Sequence, residues 1–341
     1  MPIKQNGSVN DWNPTNPAFD PDEPMQVGGQ AIIEGVMMRA KGMIATAVRK
    51  PDGSIVVKKE EFHSFIERHP RLNLPVLRGA IGLIEMMYIG IKTLNYSAEV
   101  AMEDTSDAPH AAETSKSGTL DLALLATLVF AFALGIGVFF FLPLFIATTL
   151  FRIEQQPLLF NFVAGGIRIA ILLAYLYSIS LMKGVHRIFE YHGAEHKAVY
   201  TFEQNAPLEV RSAMRFTRFH PRCGTSFVLL VMFVAIILFS VLDAGVLFIT
   251  GTLSLSLRLA THIPFIPVVG GLSYEVLKFS ARHLTSPIGR MIAAPGLWLQ
   301  KITTKEPDES QMEVSLAAIR AALRIDETPS AAKMSSAASV N

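Results

Sequence analysis

Tyr191-His192-Gly193-Ala194-Glu195-His196-Lys197 puts two imidazoles and a carboxylate within one short stretch. On a helix, His192 and His196 stand one above the other at i and i+4, a spacing that lets two rings grip one cation. Glu195 falls beside them, close enough to act as general base on a bound water. The order His-x-x-Glu-His inverts the zinc-protease motif. The divalent metal this implies is a first-row ion, with zinc as one candidate. A pattern this loose also occurs in solvated turns that bind nothing. Gly193 counts against a rigid helix, at about 1 kcal/mol relative to alanine.

Other residues could complete such a site. Glu203 follows His192 by eleven positions and returns to the same face if the helix continues. His220 and Cys223 are both competent zinc ligands, although Cys223 also reads as a small apolar residue at a helix start. Glu275 lies in an apolar run and is a third-ligand candidate, a proton relay or a partner for Arg282. His186 and Glu190 form a further i, i+4 pair on another face, read as an ion pair or a support for the ligands. In Gly28–Arg39 the glycines permit tight turns or close approach. Glu34 there either pairs with Arg39 or faces the histidines.

These candidates are separated by segments that belong in a bilayer. The chain is 50% hydrophobic and 17% charged, against the quarter or so of charged residues usual in soluble domains. From Leu122 to Phe151 no residue is charged, which exceeds the roughly twenty residues that span a membrane. Pro143 predicts a kink or an end near Leu142. A second span reads from Phe160 to Met182, with Arg168 reaching for the headgroups. A third runs from Ser226 to Leu242 and ends at Asp243. The fourth is read as Leu259 to Phe279, with Ala244–Leu257 a short interfacial piece.

The predicted organisation is a mainly α membrane protein with about four transmembrane helices and a small, mostly β N-terminal cytoplasmic domain. Residues 1–25 are read as disordered, 26–97 as the β-rich domain with an interfacial helix, and 98–119 as a linker. Spans one and two occupy 120–182, a His-rich loop 183–225, and spans three and four 226–280. An amphipathic segment at 281–325 and a disordered tail at 326–341 complete the chain. Pro51-Asp52-Gly53 between two strand-like runs signals a hairpin. Met312, Leu316, Ile319 and Leu323 fall on one helical stripe. The β domain is too small to hold its own core and must lean on the membrane or the later loop.

Lysine and arginine placement sets the orientation. Lys183, Arg187, Lys197, Arg211, Arg215, Arg218 and Arg222 crowd one loop, whereas the connection between spans one and two has only Arg152. Both termini and the His-rich loop are therefore expected in the cytoplasm, with the chain multi-pass in its membrane. The single cysteine allows no internal disulfide. A net charge of +1 gives no case for nucleic acid. The expected partners are the lipid bilayer and either another protein or a second copy.

Five blocks together resemble the YqhQ-like family: GGQAIIEGVMMR from Gly28, YHGAEHKAV from Tyr191, HPRCGTSF from His220, GLSYEVLKF from Gly271 and APGLWLQKITTKEP from Ala294. This is a bacterial membrane family of unknown function, often described as metal-dependent enzymes. The resemblance implies a metal-dependent enzyme without naming its substrate. The leading expectation is a hydrolase in which His192 and His196 bind a divalent ion and Glu195 is the base. Glu275, Glu203 or Cys223 would complete the coordination. The alternative is a non-enzymatic membrane assembly or adaptor protein in which the histidines are structural or hold a structural metal; transport is a weaker third.

Overall fold

The computed structural model describes residues 27–102 and 122–325. The segments expected to be disordered, and all but the first residues of the expected linker, lie outside them. Four strands come first: β1 (Gly28–Ile32), β2 (Gly35–Ala40), β3 (Met43–Arg49) and β4 (Ile55–Glu61). They form one antiparallel sheet in the order β1-β2-β3-β4. The predicted Pro51-Asp52-Gly53 turn joins β3 to β4, and Gly53 takes a φ of 88° that favours glycine.

Both faces of the sheet are covered, so β2 and β3 are buried almost throughout. After a short α1 (Phe65–Arg68), the long α2 (Leu77–Ala101) lies on one face. Ile89 and Met86 of α2 pack against Met37 and Ile44 there. The helix extends to Ala101, so residues 98–101, expected in the linker, are helical. The opposite face holds Val36, Met38, Ala45 and Ala47 against residues from two later helices. Alternation along each strand sends successive side chains to these two partners. That is how the small sheet acquires the core its own length cannot supply.

Among the described residues, four helices are long and apolar enough to cross a membrane: Val129–Phe151, Pro157–Ser180, Gly224–Thr250 and Leu255–Arg282. The first is built from α3 (Leu122–Ile136) and α4 (Leu142–Ile146), each followed by a π-helical turn. Pro143 does not end it. The widened turn at Gly137–Phe141 precedes the proline and accommodates its missing N–H. In α5 (Pro157–Ser180), Arg168 is buried rather than reaching outward, its guanidinium 5.3 Å from the Phe140 ring.

The short α6 neighbour, α7 (Val210–Ala213), follows α6 (Lys183–Glu203), and then come α8 (Gly224–Thr250) and α9 (Leu255–Arg282). Asp243 does not end the third span: α8 continues to Thr250. Asp243 lies inside the bundle and accepts hydrogen bonds from Asn161 at 2.7 Å and Arg258 at 2.8 Å. Its other oxygen meets His262 at 2.8 Å. The expected interfacial piece at 244–257 is thus the end of α8, a turn and the start of α9. The chain closes with α10 (Pro287–Thr303) and α11 (Glu309–Ala322). Asp308 and Gln311 cap α11 reciprocally, and its Met312, Leu316 and Ile319 are buried beneath the sheet.

Candidate metal centre

The segment expected as a His-rich loop is helical over most of its first half. α6 has 21 residues, a length of about 31 Å, and carries the motif from the bundle into the sheet-bearing head. Gly193 does not break it. A Cβ at this position would run into the backbone carbonyl of Lys305, so glycine lets the chain between α10 and α11 cross α6 closely. Lys305 seals the crossing by donating its N–H to the Phe189 carbonyl at 2.8 Å.

His192 and His196 meet edge to face one turn apart, their ring centroids separated by 4.4 Å. Cys223, at the N-cap of α8, approaches from the other side. One donor atom from each of the three lies within 4.8 Å of the others. Donors around a tetrahedral zinc sit about 3.3–3.8 Å apart, from bond lengths of about 2.0–2.3 Å. The His192 Nε2 to Cys223 Sγ distance of 3.2 Å falls just short of that range, so a small opening of the pair would admit an ion.

Tautomers are set by backbone. His192 Nδ1 lies 2.8 Å from the Thr303 carbonyl and His196 Nδ1 2.5 Å from that of Arg218. A carbonyl can only accept, so each neutral ring carries its proton on Nδ1 and turns the Nε2 lone pair inward. His196 Nε2 is buried and makes no hydrogen bond among the described residues. A buried unpaired nitrogen is costly, and an ion shared with His192 and Cys223 would satisfy it. The residues fit a metal. Burial pushes both histidines below their ordinary value, toward the neutral form that ligates.

Glu195 sits at the edge of this cluster, with Oε2 3.5 Å from His196 Nε2. Burial raises its pKa, opposed by neighbouring histidines and by the Gly29 N–H it accepts. A Cβ on Gly29 would lie 2.7 Å from the Glu195 side chain, so the β1 glycine makes room for the carboxylate. These groups line a cleft of about 900 Å³.

The other expected ligands are engaged elsewhere. Glu203 does return toward the site, but it accepts from His220 Nε2 at 3.1 Å and pairs with Arg222. It supports His220, whose ring lies 5.6 Å from that of His196. Glu275 is not in the cluster. Arg78 of α2 grips it, with Nε to Oε1 at 2.7 Å, which accommodates a carboxylate in an apolar helix. Glu34 faces α6 at the entrance to the motif, where it accepts from Arg187 at 2.6 Å and from Tyr191, next to His192, at 3.3 Å. Arg39 is not its partner. His186 and Glu190 lie 3.5 Å apart, and Glu190 also holds Gln311 of α11.

Sequence reasoning missed the two orienting carbonyls, since Thr303 and Arg218 contribute backbone and any residue type would serve. The Gly28-Gly29 pair was the available signal for the close approach of Glu195. Lys197, almost wholly buried, pairs with Glu306 and donates to the Met214 carbonyl at 3.2 Å. It ties α6 to the chain on both sides of the cluster.

Four apolar helices point to a membrane protein, here one whose sheet-bearing head encloses a His/His/Cys cluster. The chain belongs to the family described as Protein of unknown function (DUF1385), whose profile matches residues 74–325. It is 34% identical over 311 residues to Uncharacterized protein YqhQ of Bacillus subtilis (strain 168). That match covers 89% of this chain and 94% of the relative. No solved structure matches.

Proposed function

We propose that the protein is a metal-dependent hydrolase of the bacterial inner membrane, working at the cytoplasmic surface. The observation that supports this most is the unpartnered, buried His196 Nε2, aimed at the same space as His192 Nε2 and Cys223 Sγ. His192, His196 and Cys223 would hold a divalent ion, zinc by the softness of the thiolate. When bound, the ion supplies Lewis acidity and a water of lowered pKa. Glu195, buried beside the ligands, would take the proton from that water.

The orientation rests on charge. The connections at 152–156 and 251–254 carry only Arg152 and Glu154, whereas the α6 side of the bundle is rich in lysine and arginine. Both termini then lie in the cytoplasm with the cleft.

A structural metal in a non-enzymatic adaptor is the competing reading, favoured by the low exposure of His196 and Cys223. Elemental analysis of the detergent-purified full chain, beside His192→Ala/His196→Ala and Glu195→Gln, separates the two. One bound equivalent, lost in the double variant and kept in Glu195→Gln, establishes the site. A hydrolase screen with amide and ester substrates then decides: activity abolished by Glu195→Gln supports catalysis, and no metal in the wild type sinks both readings.

A further inference from the structure

The cleft beside the cluster is lined by charges that are not balanced among themselves. Its carboxylates have neighbours: Glu61 lies 3.9 Å from Arg324, Glu67 caps Ser64 at 3.1 Å, and Glu195 abuts His196. Arg222 is taken by Glu203. Arg39 and Lys41, which also line the cleft, pair with no carboxylate among the described residues. Arg39 is instead held by soft contacts: its guanidinium sits 4.6 Å from the Phe62 ring centroid and Nη1 lies 3.4 Å from the Met86 sulfur.

Those contacts fix the guanidinium's position while leaving its charge available. A ring beneath an arginine restrains the fork at little cost in free hydrogen-bonding edge. The residue opposite Arg39 in the sheet is Gly28, where a Cβ would meet nothing within 4 Å. The floor beside the guanidinium is therefore open. Lys41 stands exposed at the β2–β3 turn, adding a point charge at the rim. A planar fork with a nearby ammonium suits a phosphate-type oxyanion.

The position of the cleft narrows the source of that anion. Gly224, on its wall, is the first residue of the α8 span. Met86, also on the wall, belongs to α2, which packs along the α9 span and exposes Ile84, Met87, Tyr88 and Ile91. The cleft thus opens where the head meets the membrane-spanning helices.

We propose that Arg39 and Lys41 form a receptor for a phosphate-type anion, placed so that the headgroup of an anionic membrane amphiphile enters the cleft that His192, His196 and Cys223 also line. This deepens the hydrolase reading by giving its substrate a charge and a source. Anion binding itself does not require the metal.

The test uses the full chain in mixed micelles of phosphatidylglycerol and phosphatidylcholine, with retained lipid read by native mass spectrometry and inorganic phosphate titrated by calorimetry. Wild type, Arg39→Gln, Arg39→Lys and Lys41→Gln are compared, with zinc content measured on each. Expected is a preference of about tenfold for phosphatidylglycerol, largely lost in Arg39→Gln, reduced in Lys41→Gln and partly kept in Arg39→Lys. Phosphate binding that depends on Arg39 without a lipid preference supports the receptor and assigns it a soluble phosphate compound. Equal retention of both lipids together with no phosphate binding overturns the proposal. So does wild-type behaviour of the Arg39→Gln and Lys41→Gln proteins. Should Arg39→Gln fail to fold, Lys41→Gln, at a turn, still decides. Absence of zinc with anion binding intact would remove the hydrolase reading and leave the receptor standing.

Discussion

Asp243 of α8 and Arg258 of α9 meet at 2.8 Å with neither side chain exposed. The arginine also donates to the Glu154 carbonyl at 2.6 Å, so one buried pair ties two spans to the turn before α5. Asn161 and His262 complete the ring of partners around the carboxylate. A charge in this position is tolerable only because every neighbour was brought in with it.

Asp243→Asn should therefore destabilise the protein by about 3–5 kcal/mol, because the arginine is left buried without its counter-charge. Replacing both partners, Asp243→Leu with Arg258→Met, should recover most of that loss. Thermal unfolding in detergent, followed by tryptophan fluorescence, measures both. Equal melting of wild type and the single variant would show that the pair is not under load.

Glu275→Gln and Cys223→Ala distinguish the carboxylate held by Arg78 from the true cluster. The first should leave metal content unchanged and alter stability by about 1 kcal/mol or less, the scale of a partly exposed pair. The second removes one of three donors and should lose the metal on dialysis. Elemental analysis reads both, and retention of metal by Cys223→Ala would return the thiol to a packing role.

Acid should weaken the metal-free fold in a defined window. His192 and His196 are held below their ordinary value of 6.5 by burial, so as pH falls the unfolded chain takes up those protons first. Stability is full above the unfolded value and declines as pH drops beneath it toward the depressed folded ones. Glu195 acts in the opposite sense: raised from 4.5 by burial, it favours the fold at low pH and loses that advantage as pH rises. Chelator-treated protein melted between about pH 5 and about pH 8 should gain stability with rising pH. The slope should steepen in Glu195→Gln and flatten in His192→Asn/His196→Asn. A wild-type slope of the reverse sign would contradict the burial of the rings.

Gly29→Ala should damage the site more than the fold. The new methyl would press on the Glu195 side chain from 2.7 Å, and overpacking of this kind costs about 1–3 kcal/mol. Because His192, His196 and Cys223 are untouched, metal should stay bound while any Glu195-dependent turnover falls. Loss of metal in this variant would mean that β1 positions the ligands as well as the base.

Much of the frame was legible in the residues. The Pro51-Asp52-Gly53 turn, the charge-free run through Phe151 and the stripe of Met312, Leu316 and Ile319 each follow from local chemistry. The i, i+4 histidines pointed to the candidate cluster, which the fold brings together with Cys223. What escaped was pairing at a distance. Asp243 read as the end of a span because its partner Arg258 lies on the next helix, and Glu275 read as a ligand because Arg78 lies almost two hundred positions earlier. Glu34 turned to Arg187 for the same reason. A sequence shows the charge but not the element that folds back to neutralise it, and backbone carbonyls such as that of Thr303 leave no trace in residue type.

The placement of the sheet also bears on how the chain behaves before and between its working states. β1 and β4 are the outer strands, and unprotected outer strands invite pairing with other chains. Here β1 lies against α6, while β4 presents Lys58, Lys59, Glu60 and Glu61 in succession. The helix that carries His192 and His196 packs beside the first of these borders, while the second ends in two lysines followed by two glutamates, hydrated charges that disfavour pairing with a strand of another chain. Fibrils or strand-swapped dimers growing from β4 would have to strip that water first.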